Sequence, residues 1–194
     1  LLDLRSLAAR DLNITVPGAR ANLRSRMVDA GDLIAGRSLS GGGARVALEA
    51  RGDIWTVPAR EGSTRNLTRT SGSAERDPAY SPDGKSVAYF SDAPGTYELF
   101  VTPADGPATP RQITHGGYGF LLGPRWTPDG KWILYWDNTA ALWKVSKDGG
   151  APTKLLQDEW ANTSSLEFSA DSRWLAVTLT SGAPTAVLHV VELA

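Results

Sequence analysis

The sequence predicts an all-β fold, a β-propeller built from four-stranded antiparallel blades of about 41 to 46 residues. A turn sequence recurs four times, and its first residues lie 41, 46 and 42 positions apart, which matches the roughly 40 to 50 residues of a propeller blade. The same order of apolar strands surrounds every turn. The 20 glycines and 12 prolines among 194 residues are typical of many short strands joined by tight turns.

The clearest copy of the turn is Ser81-Pro82-Asp83-Gly84. Pro82 presets the backbone φ of the second turn position, Asp83 can bond its own backbone, and Gly84 adopts a positive φ without a Cβ penalty. Apolar runs lie on both sides, so the turn is predicted to close a β-hairpin. The other copies begin at Ser40, Thr127 and Ser169.

Each turn separates a first strand from a second strand. A large apolar residue ends each first strand: Leu39, Tyr80, Trp126 and Phe168. The predicted second strands are residues 45–48, 85–89, 131–135 and 173–177, and the third strands are 54–57, 99–101, 142–145 and 187–190. Fourth strands are predicted at 65–68, 111–114 and 153–156. Residues 37–194 therefore form four successive blades, of which the last lacks its outer strand.

The remaining N-terminal residues are predicted to belong to an earlier blade. Residues 1–16 contain two apolar stretches that read as two strands of a partial blade, and residues 17–36 form the crossing segment into the first complete blade. This arrangement suggests a piece of a larger propeller, whose exposed blade edges could pair with a second copy as a homo-oligomer. The alternative is a closed four-bladed ring in which residues 12–16 pair with 187–190.

Composition excludes several classes of partner. The net charge of −1 gives no electrostatic reason to expect nucleic acid or an anionic membrane. No apolar run reaches the ~18 residues needed to span a bilayer, and the start does not resemble a signal peptide. The chain has no cysteine, which excludes disulfides and thiolate chemistry and fits the cytoplasm and the periplasm alike.

No residue pattern predicts catalysis, a cofactor or a metal site. His115 and His189 are the only histidines, and no second ligand stands at a metal-binding spacing from either. The Gly-x-Ser-x-Gly pattern of a nucleophile elbow is absent. The loop that begins at Gly116-Gly117 leads into another strand, so it lacks the helix of a phosphate site. The aspartates of the turns stand alone, without the alternating carboxylates of a calcium loop.

One binding surface can be predicted from the repeat. First strands line the channel of a propeller, and their residues near the turns differ in charge from blade to blade. We therefore expect Arg37, Asp77, Arg125 and Glu167 to line the channel. The aromatic residues are better explained by packing between blades, and they are Trp55, Tyr80, Phe100, Trp126, Trp143 and Trp174.

Two runs resemble a known family. Glu49-Ala50-Arg51-Gly52-Asp53-Ile54 and Ala74-Glu75-Arg76-Asp77-Pro78 are similar to the propeller region of tricorn-type serine proteases, and a looser similarity extends from about Arg24 to Leu193. The Ser-Pro-Asp-Gly turn is less specific, since TolB-like propellers share it. Gly41-Gly42 in the first turn and Ala170-Asp171-Ser172 in the last are minor departures.

The resemblance implies a non-catalytic propeller segment of a cytoplasmic serine peptidase that gates or docks a peptide or protein ligand. The catalytic residues of that family lie in other domains, and none matches a position of this sequence. Two other readings stay open: a protein-binding module of the TolB type, and the propeller of an amidohydrolase or of a prolyl-oligopeptidase-type enzyme.

Overall fold

The computed structural model describes residues 29–106, 108–117, 119–158, 165–180 and 186–193. Within these residues, a 3-10 turn at Gly31–Leu33 precedes fifteen strands that form four antiparallel sheets. The first sheet contains β1 (Ile34–Leu39), β2 (Arg45–Ala50), β3 (Asp53–Pro58) and β4 (Arg65–Asn66). The second contains β5 (Glu75–Tyr80), β6 (Ser86–Ser91), β7 (Glu98–Pro103) and β8 (Arg111–Gln112).

The third sheet contains β9 (Leu121–Trp126), β10 (Trp132–Asp137), β11 (Ala141–Ser146) and β12 (Thr153–Gln157). The fourth contains β13 (Leu166–Phe168), β14 (Trp174–Thr180) and β15 (Ala186–Glu192). Each sheet keeps its strands in chain order, as in a propeller blade. The predicted all-β propeller fold with four-stranded antiparallel blades is confirmed. The described residues contain no helix long and apolar enough to cross a bilayer.

The repeated turn closes the hairpin between the first two strands of each sheet. In the second sheet Gly84 N donates to Ser81 O at 2.9 Å, and φ of Gly84 is +70°. The Asp83 carboxylate accepts from the Ser81 hydroxyl at 2.6 Å and from Lys85 N at 3.0 Å. The same bonds recur at Thr127 with Asp129 and at Ser169 with Asp171.

The first turn has glycine where the second has proline because the two turns touch. A Cβ built on Gly41 would lie 2.6 Å from the carbonyl oxygen of Pro82, a backbone atom that cannot move aside cheaply. Contact between neighbouring blades therefore explains Gly41, whereas a Cβ on Gly42 would meet nothing within 4 Å and its departure has no structural explanation.

The turn aspartates make the stability of the fold depend on pH. The hydroxyl of Ser81 and the amide of Lys85 hold the pKa of Asp83 below its ordinary value. An unfolded aspartate has a pKa near 3.9, so this stabilisation is complete above that value and is lost as the pH falls through the lower folded pKa. The residue is solvent-exposed, and we expect a contribution below about 1 kcal/mol.

We therefore expect the urea midpoint of D83N to change less between pH 5.5 and pH 3 than that of the wild-type chain. Asparagine keeps an oxygen that can accept both bonds but has no titrating group. Chemical denaturation at both pH values measures the difference. Parallel pH curves for the two proteins would contradict the prediction.

The fourth strands of the first two sheets are shorter than predicted. β4 and β8 have two residues each, because a threonine hydroxyl replaces the next bond of the ladder. Ile54 N donates to Thr68 Oγ1 at 3.1 Å, and Leu99 N donates to Thr114 Oγ1 at 2.9 Å. The chain therefore leaves the sheet after each of these strands, and the backbone amide of the neighbouring third strand stays hydrogen-bonded to the threonine hydroxyl.

Apolar side chains fill the space between neighbouring sheets. The largest cluster joins the second and third sheets around Phe90, Leu99 and Ile133, and others join the first to the second and the third to the fourth. Tyr80 and Trp126 are buried, as the packing interpretation predicts. Trp55, Phe100 and Trp143 are only partly buried. The expectation for Trp174 is wrong, since this side chain is 39% exposed and lies beside Arg173.

Two strands at sheet edges keep exposed apolar side chains. Among the described residues β15 is the last strand of the three-stranded sheet, and its Leu188 and Val190 are exposed. On β1, the first strand of the first sheet, Ile34 and Leu39 are exposed. The two strands predicted in residues 1–16, and the start of the predicted crossing segment, lie outside the described residues. Their pairing, the larger propeller and the closed ring remain predictions.

Candidate functional site

The first strands of three successive sheets enclose a cavity of about 320 Å³, here called the first-strand cavity. It brings together three of the four predicted channel residues. Arg37 comes from β1, Asp77 from β5 and Arg125 from β9. Both arginines are exposed and Asp77 is half-buried. The cavity therefore presents two guanidinium groups around one carboxylate.

A β-bulge at the same repeat position shapes each of these strands. The pairing register shifts between Ile34 and Arg37 in β1, and corresponding shifts occur in β5 and β9. Asp77 and Gly123 occupy the equivalent position four residues before the turn, and their φ angles are +52° and +56°. Prolines follow both, which suits a bulge because proline lacks the amide that a regular ladder needs.

Hydrogen bonds between sheets hold the three strands in place. Tyr80 N donates to Ser38 Oγ at 2.9 Å, and Trp126 Nε1 donates to the carbonyl of Ala79 at 3.0 Å. Asp77 N donates to Glu49 Oε2 at 2.9 Å. A Cβ on Gly36 would lie 2.8 Å from the same Glu49 oxygen. The bulged segments are thus fixed by specific contacts, and the charged side chains project from a rigid support.

Glu167 is placed apart from the other three residues. It lies on β13, is exposed, and is not among the residues that line the first-strand cavity. Its position in the channel therefore stays a prediction.

A second cavity, of about 340 Å³, lies between the second and third sheets and is here called the aromatic cavity. Its lining contains two carboxylates, Glu98 and Asp137, and two aromatic residues, Tyr135 and Trp143. The other lining residues are Leu121, Pro152 and four residues that follow β8, namely Thr114, His115, Gly116 and Gly117. Glu98 begins β7 and Asp137 ends β10. The repeated turns join the first and second strands at the other end of each sheet. The aromatic cavity therefore lies on the face of the molecule opposite the repeated turns.

The two carboxylates of the aromatic cavity are held by hydrogen bonds. Glu98 is 1% exposed, and it accepts from the Thr114 hydroxyl at 2.5 Å and from Gly117 N at 2.7 Å. Asp137 Oδ2 accepts from Trp143 Nε1 at 2.7 Å. Burial opposes ionisation of Asp137, but bonds from Thr139, Trp143 and Ala141 outweigh it and lower its pKa. Burial, with Glu98 and Asp137 nearby, raises the pKa of Tyr135. The cavity is therefore electronegative.

An arginine packs on aromatic rings beside this cavity. The Arg76 guanidinium carbon lies 3.4 Å from the ring centre of Phe120 and 4.2 Å from that of Tyr97. One of its terminal nitrogens donates to the carbonyl of Leu121. Burial lowers the pKa of Arg76, and the Asp77 charge opposes that shift. This face of the protein therefore accommodates a guanidinium against aromatic walls.

Sequence reasoning did not identify the residues of the aromatic cavity. A comparison of equivalent positions in neighbouring blades shows where the blades differ. Leu121 stands where the preceding blade has the buried Glu75, and Asp137 stands where it has Ser91. In the part of the chain that the structure describes, no three histidine, aspartate or glutamate side chains group as metal ligands.

Comparison with known proteins supports the assignment of the repeats. Residues 38–189 match the family model of the tricorn protease N-terminal β-propeller domain. Tricorn protease homolog 1 of Streptomyces coelicolor is 31% identical over 179 residues, which cover 90% of this chain and 17% of that protein. The chain thus spans about a sixth of that relative's length.

Two solved structures share the fold. The tricorn protease crystal structure superposes with a TM-score of 0.71 at 15% identity, over 84% of this chain and 16% of that chain. A TolB candidate of Agrobacterium tumefaciens gives a TM-score of 0.63 at 21% identity, over 84% of this chain and 62% of that chain. The family model covers more than half of this chain, which therefore belongs to the family of tricorn protease N-terminal β-propeller domains.

Proposed function

We propose that this propeller module is a non-catalytic part of a tricorn-like peptidase and docks or gates its peptide substrates. The first-strand cavity carries the proposal. Its exposed Arg37 and Arg125 flank Asp77, so it offers charges of both signs to the side chains and termini of an extended peptide. Glu167 belongs to the same proposed lining.

The family supports the peptide as ligand. A tricorn-type propeller belongs to a peptidase, and its first strands are the surfaces that a peptide passing through the ring would meet. The bulges support the proposal as well, because a bulge re-aims side chains and interrupts pairing where a ligand approaches.

Replacing both cavity arginines should weaken peptide binding. We expect R37A/R125A to bind a fluorescein-labelled decapeptide, carrying both acidic and basic side chains, about tenfold more weakly than the wild-type chain. Fluorescence anisotropy at two salt concentrations measures the affinity, and the arginine-dependent part should shrink at high salt.

Arg60 provides the matched control. It is an exposed arginine after β3, outside both cavities, so R60A removes one arginine charge from another surface and is also compared with the single variants R37A and R125A. Equal peptide affinities for R60A and R37A/R125A would refute docking at the first-strand cavity.

The second candidate is a protein-binding module of the TolB type, which the structural likeness to the Agrobacterium tumefaciens protein favours. Such a module would use its propeller face to hold a whole protein partner. We then expect no loss of decapeptide affinity in R37A/R125A, so the same titration separates the two functions.

A further inference from the structure

We propose that the aromatic cavity is a binding site for the guanidinium group of an arginine side chain in a peptide. This inference rests on the proposed peptide-docking function, since it names a side chain that the docked peptide would carry. It concerns a separate surface, between the second and third sheets and opposite the repeated turns.

The charge of the cavity selects a cation. Glu98 and Asp137 both line it, while no lysine or arginine does. Each Glu98 oxygen accepts one hydrogen bond from the protein. Because an ionised carboxylate has about four acceptor positions, each oxygen can accept a further bond. A buried carboxylate with free acceptor positions favours a charged donor over a neutral one.

Tyr135 adds a polar group to the lining of the same cavity. Its side chain is 5% exposed and carries a hydroxyl group. A phenolic oxygen can accept a hydrogen bond from the N–H groups of a guanidinium.

The walls favour a planar cation. The rings of Tyr135 and Trp143 line the cavity, and a guanidinium stacks on such rings better than a compact ammonium group does. The neighbouring Arg76 already packs in this way on Phe120 and Tyr97. The volume of about 340 Å³ lies at the lower end of the ~300 to 1,000 Å³ typical of ligand pockets, a size suited to one long side chain.

At the equivalent junction between the first and second sheets, the protein's own hydroxyl groups bind the carboxylate. There the carboxylate of Glu75 accepts bonds from Thr70, Ser73 and Ser91 at 2.6 to 3.1 Å. Leu121 stands at the equivalent position of the next blade and brings no carboxylate. The side chains at the aromatic cavity therefore differ from those at the preceding junction.

The test uses a small probe instead of a peptide. We expect N-acetyl-arginine amide to bind the whole chain with a stoichiometry of one in isothermal titration calorimetry. The citrulline analogue has nearly the same shape without the charge, and its affinity should be at least about tenfold lower. The lysine analogue should bind more weakly than the arginine one.

Two variants locate the site. E98Q removes the buried charge and should weaken arginine-amide binding about tenfold. H115K adds a competing cation at an exposed residue of the cavity and should weaken binding several-fold without disturbing the core. Controls at exposed sites outside the cavity are E61Q and S71K, which make the same changes of charge.

Equal affinity for the arginine and citrulline probes, no binding of either, or equal affinities of H115K and S71K would overturn the proposal. If urea denaturation shows that E98Q is unfolded, the comparison of H115K with S71K decides whether the proposal stands. Peptide docking is judged separately with R37A/R125A and a peptide, so either proposal can fail while the other stands.

Discussion

Replacing Phe90 with alanine is expected to lower the free energy of unfolding by about 3 to 5 kcal/mol. Phe90 lies on β6 and is fully buried between the second and third sheets. Its ring packs edge-to-face on Tyr135, with ring centres 6.1 Å apart. Alanine leaves a void that the surrounding strands cannot close, because each is fixed in its own sheet. Urea denaturation at pH 7 measures the change.

The matched control is L188A. Leu188 lies on β15, which is an edge strand among the described residues, and its side chain is 66% exposed. Its truncation should therefore change the stability by less than about 0.5 kcal/mol. Since whole domains are stable by only about 5 to 15 kcal/mol, F90A should leave a marginal protein. A similar midpoint for F90A and L188A would mean that contact between the second and third sheets does not stabilise the chain.

Replacing Glu75 with alanine is expected to cost about 3 kcal/mol of stability. The Glu75 side chain is 1% exposed, and three hydroxyl groups donate to its carboxylate. Two of these come from the connection between β4 and β5, and the third comes from β6. Alanine would leave the three hydroxyls without their acceptor and open a void at the junction of the first two sheets.

Glutamine at the same position separates the charge from the shape. E75Q keeps the length of the side chain and one acceptor oxygen, so we expect it to lose less stability than E75A. E61A removes an exposed glutamate and should be nearly neutral. Calorimetric or urea unfolding of E75A, E75Q and E61A ranks the three variants by their free energy of unfolding. If E75A were as stable as E61A, the hydrogen bonds of Glu75 would not hold the connection to the sheet.

The two variants also test the difference between the two blade junctions. At the first junction a carboxylate and its hydroxyl donors complete the contact. At the second an apolar cluster does so, and a cavity remains beside it. Repeat proteins keep the backbone of each unit while the side chains between units diverge, so binding sites arise at particular junctions.

Much of the site could not be predicted from sequence. The repeat placed Arg37, Asp77 and Arg125 near the turns of first strands, and the structure brings these three together. It does not bring Glu167 to the same cavity. The bulges in β5 and β9 have a positive φ at Asp77 and Gly123, and a positive φ at an aspartate cannot be read from the sequence. The aromatic cavity depends on contacts between residues of two different sheets.

The sequence by itself determined the fold class, the strand order within each blade and the turns. These follow from local chemistry, because the turn closes through bonds within six residues and each strand pairs with its neighbour in the chain. Only the tertiary structure decided which faces of the blades pack against each other. The length of the fourth strands, the exposure of Trp174 and both cavities depend on side chains far apart in sequence, whose packing no local pattern specifies.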